Sequence, residues 1–416
     1  MEKFNKTFLS LSLDAQFLFL TRTLRLFAYG FLSVILVLYL AELGLTQMQI
    51  GLLLSLTLLG DTLISFLITM VADSVGRKRM LQLGAVLMIF AGILFILTDN
   101  FVLLLIAAAI GVISPSGNEI GPFLAIEQAS LSHTVSNESR TRIFAWYNLV
   151  GSLATACGAL MVGLLANLLI HLGLTSLNSY RVLIAAYALL GSILYFIFSR
   201  LSTAIEADIR EGSFKRFSDY FKLGKSGSVI LKLSSLFALD AFGGGFIIQS
   251  VVAYWFYVRF GADIVLLGAI FFGVNILAGF SALLAARLAY RIGLIRTMVF
   301  THIPSNILLM LVPLMPNLGL AVLVYLMRSS ISQMDVPTRQ SYTMAVVDPR
   351  ERSQAGGITN IARTLGAACA PIFVGPLLAD VHLLSRIFFL AGGIKIAYDL
   401  ILYFKFQHLK PPEEGV

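Results

Sequence analysis

Twelve stretches of this 416-residue chain are long, almost wholly apolar and spaced roughly every thirty residues. They run 17–41, 48–71, 80–98, 101–122, 143–168, 181–199, 232–258, 264–286, 297–315, 318–334, 353–379 and 385–407. An α-helix rises about 1.5 Å per residue, so about twenty residues match a hydrocarbon core about 30 Å thick. Lipid offers backbone amides no hydrogen-bond partner, and a single segment crosses unaided only as a helix, which satisfies its own backbone. The pattern predicts an all-α polytopic membrane protein with twelve transmembrane helices.

Composition agrees: 58% of residues are apolar and 12% charged, against about 45–50% and about 25% in an ordinary soluble domain. The net charge of +8 would suit nucleic acid, but its placement argues otherwise. Most of the 30 Lys and Arg residues fall in the tails and in alternate loops, while Arg181, Arg259 and Arg386 sit near the opposite ends of spans. This is the positive-inside asymmetry, which puts both termini in the cytoplasm and excludes nucleic acid as a partner. The first apolar run lacks a small-residue cleavage site and reads as a retained helix. Cys157 and Cys369 both lie within spans, so no disulfide is expected. The expected setting is the plasma (inner) membrane, multi-pass, with the lipid bilayer as surroundings and a monomeric chain.

The longest polar break, residues 200–231, falls at mid-chain and predicts three parts. These are an amino-terminal six-helix half (1–199), a cytoplasmic central loop (200–231) and a carboxy-terminal six-helix half (232–416). An offset of 212 residues aligns Glu127-Gln128 with Arg339-Gln340, Asn148 with Asn360, Cys157 with Cys369 and Gly163 with Gly375. Offsets of 215–217 align Gly30-Phe31 with Gly245-Phe246, Gly44 with Gly261, Gly51 with Gly268 and Gly76 with Gly293. Nearly constant offsets point to a six-plus-six duplication. A duplicated bundle can rock about a site held between its halves, which favours transport over a channel.

Between the second and third spans runs Ala72-Asp73-Ser74-Val75-Gly76-Arg77-Lys78-Arg79, a tight cationic turn. Here the chain resembles the major facilitator superfamily, whose signature in this loop is Gly-x-x-x-Asp-Arg/Lys-x-Gly-Arg/Lys-Arg/Lys. Asp73, Gly76, Arg77 and Lys78 match it, while Thr69 replaces its first glycine and Ser74 its first cation. Glu138-Ser139-Arg140 and Asp348-Pro349-Arg350-Glu351-Arg352 suggest a second family element. The resemblance implies a fold of two pseudo-symmetric halves and packing of the second span against the eleventh. It also implies a cytoplasmic gate formed by Asp73, Gly76, Arg77 and Lys78, helped by Arg140, which steadies the outward-open state. The fold serves many substrates, so it names none.

Ionisable groups deep in a span each need a partner or a purpose. Counting from span ends puts Asp61, Arg328 and Arg363 near the midplane, Arg25 and Asp240 about a turn away, and Arg22 and Glu119 near the inner boundary. Arg22, Arg25, Tyr29 and Ser33 share one face of the first helix. Thr57, Asp61 and Ser65 share one on the second, and Asn148, Ser152 and Thr155 one on the fifth, while Thr359, Asn360 and Arg363 cluster on the eleventh. The simplest arrangement is a central substrate and ion cavity lined by Arg25, Tyr29, Asp61, Glu119, Asn148, Asp240, Arg328, Asn360 and Arg363. Polar residues of this kind also hold helices together without any transport role. Either Asp61 or Asp240 is expected to carry a coupled proton, with Asp61 preferred for its central depth, and Asp61 and Arg363, at nearly equal depth, are expected to pair in at least one state. Lys395 and Asp399, four residues apart on the last helix, are expected to pair along it.

Enzymatic readings find no support. The five histidines lie in loops or at or near span ends, none at metal-ligand spacing, so no metal site is expected. No Gly-x-Ser-x-Gly elbow occurs, and Gly224-Lys225-Ser226 follows Asp219 where a phosphate loop needs glycine. No catalytic residue, cofactor or ATP site is expected. The expected function is secondary active transport of a small organic molecule by alternating access, with protons as partner and an anionic or zwitterionic substrate. A broad-specificity drug/proton antiporter working in efflux and a lipid flippase on the same fold remain alternatives.

Overall fold

The computed structural model describes residues 11–119, 121–134, 137–206, 224, 226–348 and 351–409. Fifteen α-helices and no strands occur among them. In chain order these are α1 (Leu13–Glu42), α2 (Gln47–Val75), α3 (Arg77–Leu97), α4 (Phe101–Ile110), α5 (Phe123–Thr134), α6 (Asn137–His171), α7 (Ser176–Ser199), α8 (Gly227–Gly245), α9 (Gln249–Phe260) and α10 (Ile264–Ile292). Then follow α11 (Leu294–Leu311), α12 (Leu318–Ser329), α13 (Asp335–Val346), α14 (Arg352–Leu377) and α15 (Val381–Phe406). Ten segments are long and apolar enough to cross a membrane, with α8 and α9 counted together; α4 and α12 are apolar but shorter.

The chain divides into two compact units. The first comprises Met1–Leu45, Gly60–Glu211 and Ile264–Phe272, and the second Thr46–Leu59, Gly212–Asp263 and Gly273–Val416. In the first, α1 crosses α6 at backbone distance. A Cβ on Gly30 would lie 2.1 Å from the Thr155 carbonyl oxygen, and one on Gly158 2.0 Å from that of Phe27. In the second, α8 crosses α14 the same way. Cβ atoms on Gly245 and Gly366 would lie 2.3 Å from the carbonyl oxygens of Ala367 and Ala238. Helices in lipid gain little from apolar burial against each other, so small residues that allow close van der Waals contact hold such crossings together.

Several helix starts carry side-chain caps. Ser12 accepts from Ala15 on α1, Asn100 from Val102 and Leu103 on α4, Thr175 from Asn178 on α7, Asn317 from Leu320 on α12, and Asp380 from His382 and Leu383 on α15. The bonds from Leu383 and His382 N–H groups hold the exposed Asp380 carboxyl below the ordinary range.

The fourth, seventh and tenth apolar runs are not continuous helices, contrary to expectation; the seventh is interrupted between Gly245 and Gln249. Run 101–122 ends as helix at Ile110, and α5 begins only at Phe123. The intervening sequence holds Pro115 and Pro122, with Gly117 and Gly121 at φ 70° and 80°. Run 318–334 breaks after Ser329, and α13 starts at Asp335 with Pro337 tolerated in its first turn. Exposed backbone is costly at membrane depth, and the breaks in the fourth and tenth runs recruit partners. Tyr187 donates its hydroxyl to the Val112 carbonyl, and Ser114 Oγ donates to Asn118 O at 2.8 Å. Gly121 N–H donates to Asp61 Oδ1 at 2.6 Å, and at the break in the tenth run Gln333 N–H donates to Ser281 Oγ at 3.3 Å.

Gly158→Leu should therefore force α1 and α6 apart and cost about 1–3 kcal/mol or more by overpacking. Thermal unfolding in detergent checks this, with Gly357→Ala, which meets nothing within 4 Å, expected to leave the midpoint unchanged or slightly raised.

Candidate functional site

Arg25 is the centre of a buried charge cluster in the first unit. It lies on α1 with no exposed surface, and all three guanidinium nitrogens are used. Nη1 and Nη2 each bond Glu127 at 2.7 Å, and Nε bonds Glu119 Oε1 at 2.9 Å. Arg22, one turn earlier, donates Nε to the Tyr147 carbonyl and Nη1 to Glu119 Oε2, both at 2.8 Å, and Nη2 to Asn148 Oδ1 at 3.2 Å. Thr21 and Tyr147 hydroxyls also donate to Glu127. Two arginines and two glutamates thus close on one another with their hydrogen bonds made, which is what buried charge requires. Tyr29 is fully buried within electrostatic reach of Arg25, Glu119 and Asp61.

Asp61 does different work from that expected. Its Oδ1 accepts from Gly121 N–H and from Ser65 Oγ at 3.3 Å, so it satisfies the broken backbone of the fourth run. Asp61 belongs to the first unit and Arg363 to the second. Within its own unit Arg363 has no carboxylate within 4 Å, and its Nε has no hydrogen-bond partner among the described residues.

The second unit has its own cluster, around Asp240 on α8. Lys395 Nζ bonds Asp240 Oδ1 at 2.6 Å, and Arg339 Nη1 bonds Asp240 Oδ2 at 3.1 Å and Asp335 Oδ2 at 2.8 Å. His302 Nδ1 stands 2.9 and 3.0 Å from the two Asp399 oxygens, and its Nε2 lies 3.8 Å from Asp240. Lys395 and Asp399 therefore do not pair along α15. Neighbouring helices supply the partners instead: Lys395 takes Asp240 from α8, and Asp399 takes the His302 imidazole from α11. Arg328 lies at the end of α12 over the Tyr325 ring at 5.7 Å, with its Nε unpartnered among the described residues. Asn148 and Asn360 are exposed, Asn148 accepting from Arg22 as above.

The two clusters are related by the internal repeat with their charges exchanged. An offset of 215 carries Arg25 to Asp240, and one of 212 carries Glu127 to Arg339, so each unit pairs the same two positions with opposite signs. They differ in completeness: Arg25 uses every nitrogen, whereas Arg339 loads two carboxylates onto Nη1 and leaves Nη2 buried without a partner among the described residues.

At the Gly76 turn, φ is 115°, a conformation that favours glycine. Asp73 accepts from Arg77 Nε at 2.8 Å, while Arg77 Nη1 and Lys78 Nζ donate to the carbonyls of Ile205 and Leu201. Glu206 caps α3 by accepting from the N–H groups of Arg77 at 2.6 Å and Lys78 at 3.2 Å. The turn is thus clamped to the segment after α7 in its own unit. The Arg140 side chain lies outside the described residues.

The sequence profile of the Major Facilitator Superfamily matches residues 18–371. The chain belongs to this superfamily. A relative within it, Uncharacterized membrane protein YJR124C of Saccharomyces cerevisiae, is 32% identical, covering 94% of this chain and 93% of its own. Among solved superfamily structures, the nucleoside transporter NupG overlays with a TM-score of 0.76 at 12% identity, covering 94% of this chain and all of its own. The D-xylose–proton symporter overlays with a TM-score of 0.72 at 15% identity, covering 97% and 99%. At such identities these neighbours show the superfamily fold alone, a transporter architecture in a multi-pass membrane protein.

Several residues of the site escaped the sequence reading. Glu127, Asp335 and Arg339 lie beyond the span ends counted from hydropathy, yet all are buried because α5 and α13 extend past the breaks. Two signals pointed to them: the Glu127–Arg339 repeat match and the Asp335-to-Arg339 spacing of four. His302, placed near a span end, is buried against Asp399. Glu206, in the polar segment after α7, had no signal beyond its charge.

Replacing Glu127 with Gln should leave the fully buried Arg25 sharing one carboxylate, Glu119, with Arg22, and destabilise the fold by about 3–5 kcal/mol. The double replacement Arg25→Leu with Glu127→Leu should recover much of that loss, measured as the unfolding midpoint of purified protein.

Proposed function

We propose that the protein is a secondary active transporter that moves a small organic anion or zwitterion across the membrane by alternating access, driven by protons. Superfamily membership supports transport. The observation that carries the substrate class is the pair of guanidinium groups, Arg328 and Arg363, set in apolar helices with unpartnered Nε atoms among the described residues. A charge at membrane depth without an internal partner is expensive, and a guanidinium fork matches carboxylate or phosphate oxygens. A lipophilic cation, as the drug-antiporter alternative requires, would add to that excess.

The coupled proton belongs on the His302–Asp399 pair. Asp61 is engaged in holding the fourth-run break, and Asp240 already faces Lys395 and Arg339. Around His302 stand Asp240 from α8, Asp335 and Arg339 from α13, and Lys395, Tyr398 and Asp399 from α15. A proton on this imidazole is shared with Asp399 and screened by Asp240, and its loss leaves Asp399 without its cation. The two states therefore differ in the attraction holding α11 to α15, which gives protonation a way to bias one arrangement over another.

Proteoliposomes with an imposed pH gradient test this reading. His302→Gln and Asp399→Asn should each abolish the gradient-driven component of transport while leaving substrate exchange without a gradient. Undiminished proton-driven transport in both variants would remove the assignment, and sodium dependence without pH dependence would replace the proton as coupling ion.

A further inference from the structure

We infer that Arg363 and Arg339, with the Tyr398 hydroxyl, form the seat for a single carboxylate or similar monoanionic group of the substrate, entirely within the second unit. The inference deepens the transporter reading and rests on it for its physiological meaning, though not for the binding itself.

Arg339 is 3% exposed, and its Nη1 bonds both Asp240 and Asp335 while its Nη2 bonds nothing among the described residues. A buried guanidinium N–H without an acceptor is costly, and native structures rarely leave one so unless something else fills it. Tyr398, 1% exposed, turns its hydroxyl toward the Arg339 guanidinium, which it meets within electrostatic hydrogen-bonding reach, and the hydroxyl's own proton has no acceptor among the described residues. Arg363, half-buried on α14, is within electrostatic reach of Arg339, Asp240, Asp335 and Tyr398, and its Nε is likewise open. Two guanidinium groups with open nitrogens and a hydroxyl proton beside one of them, drawn from three helices, call for an oxygen acceptor with negative charge. The matching cluster of the first unit has no such vacancy, since every nitrogen of Arg25 is bonded.

Charge limits the guest. Arg339, Lys395 and Arg363 balance Asp240, Asp335 and Asp399, so the cluster is neutral while His302 is neutral and +1 once His302 is protonated. One negative charge restores neutrality when the proton is aboard, whereas a dianion would leave an uncompensated buried charge. The seat therefore takes one monoanionic group together with one proton, and a zwitterion would have to place its cation elsewhere.

Thermal shift and isothermal titration of the purified chain check this with named probes: benzoate and lactate as monocarboxylates, succinate as dicarboxylate, and choline and tetraphenylphosphonium as cations. Monocarboxylates should stabilise the protein, more at acidic pH, and the cations should not. Arg363 has no ion-pair partner among the described residues of its unit, so Arg363→Gln should fold normally and weaken monocarboxylate binding about tenfold to a hundredfold, the range of a charged hydrogen bond. Arg363→Lys should restore part of it, and Arg181→Gln, at an exposed ion pair with Asp99, should leave binding unchanged. Stabilisation by cations alone, or monocarboxylate binding unaffected by Arg363→Gln, would overturn the seat. Monocarboxylate binding that requires Arg363 but produces no vesicle transport would uphold the seat and overturn the transporter reading instead.

Discussion

A polar group that finds no hydrogen-bond partner inside hydrocarbon costs several kcal/mol, and this constraint organises the whole chain. It makes the spans helical, and it dictates what happens where they are not. The fourth apolar run breaks at proline and glycine and the tenth after Ser329, and side chains close both: Tyr187 and Asp61 from neighbouring helices with Ser114 from within the break at one, Ser281 at the other. Those breaks in turn allow two short helices, α5 and α13, to carry Glu127 and Arg339 into the interior. The buried charges are thus a consequence of how the backbone is satisfied.

The same constraint separates scaffold from site. In the first unit the accounting closes: Arg22 and Arg25 are met by Glu119, Glu127, Asn148 and the Tyr147 carbonyl. Such a network fixes α1 against α5 and α6 and offers nothing to a ligand. In the second unit the repeated positions hold the opposite charges, extended by His302, Lys395, Asp335 and Asp399, and the accounting does not close. Duplication supplied two equivalent frames. One is a closed brace, and the other leaves guanidinium nitrogens without strict hydrogen-bond partners among the described residues, which is the ground for the seat proposed above.

Much of the architecture could be read from the chain alone. Most of the apolar runs are continuous helices, because an uninterrupted apolar run has no other solution in lipid, and the Gly76 turn has the positive φ that its glycine suggested. The deep charges were also visible, Arg25 and Asp240 among them. Their partners were not. Pairing depends on which helices are neighbours, and hydropathy counts residues such as Glu127, Asp335 and Arg339 as loop. Lys395 and Asp399 have a spacing that suits a pair, yet tertiary partners outcompete it at 2.6 and 2.9 Å. At Asp61, depth was legible but the two neutral donors that meet it, Gly121 N–H and Ser65 Oγ, were not.

The central claim is that the two charge clusters differ in kind, one closed and one open. Covalent modification of arginine by phenylglyoxal, mapped residue by residue by mass spectrometry on the folded protein in lipid nanodiscs, reads that difference directly. The account predicts that Arg363 is modified and that a bound monocarboxylate protects it, while Arg22 and Arg25 stay unmodified until the protein unfolds. Modification of Arg22 or Arg25 at a rate comparable to Arg363, or an Arg363 as inert as they are, would contradict it.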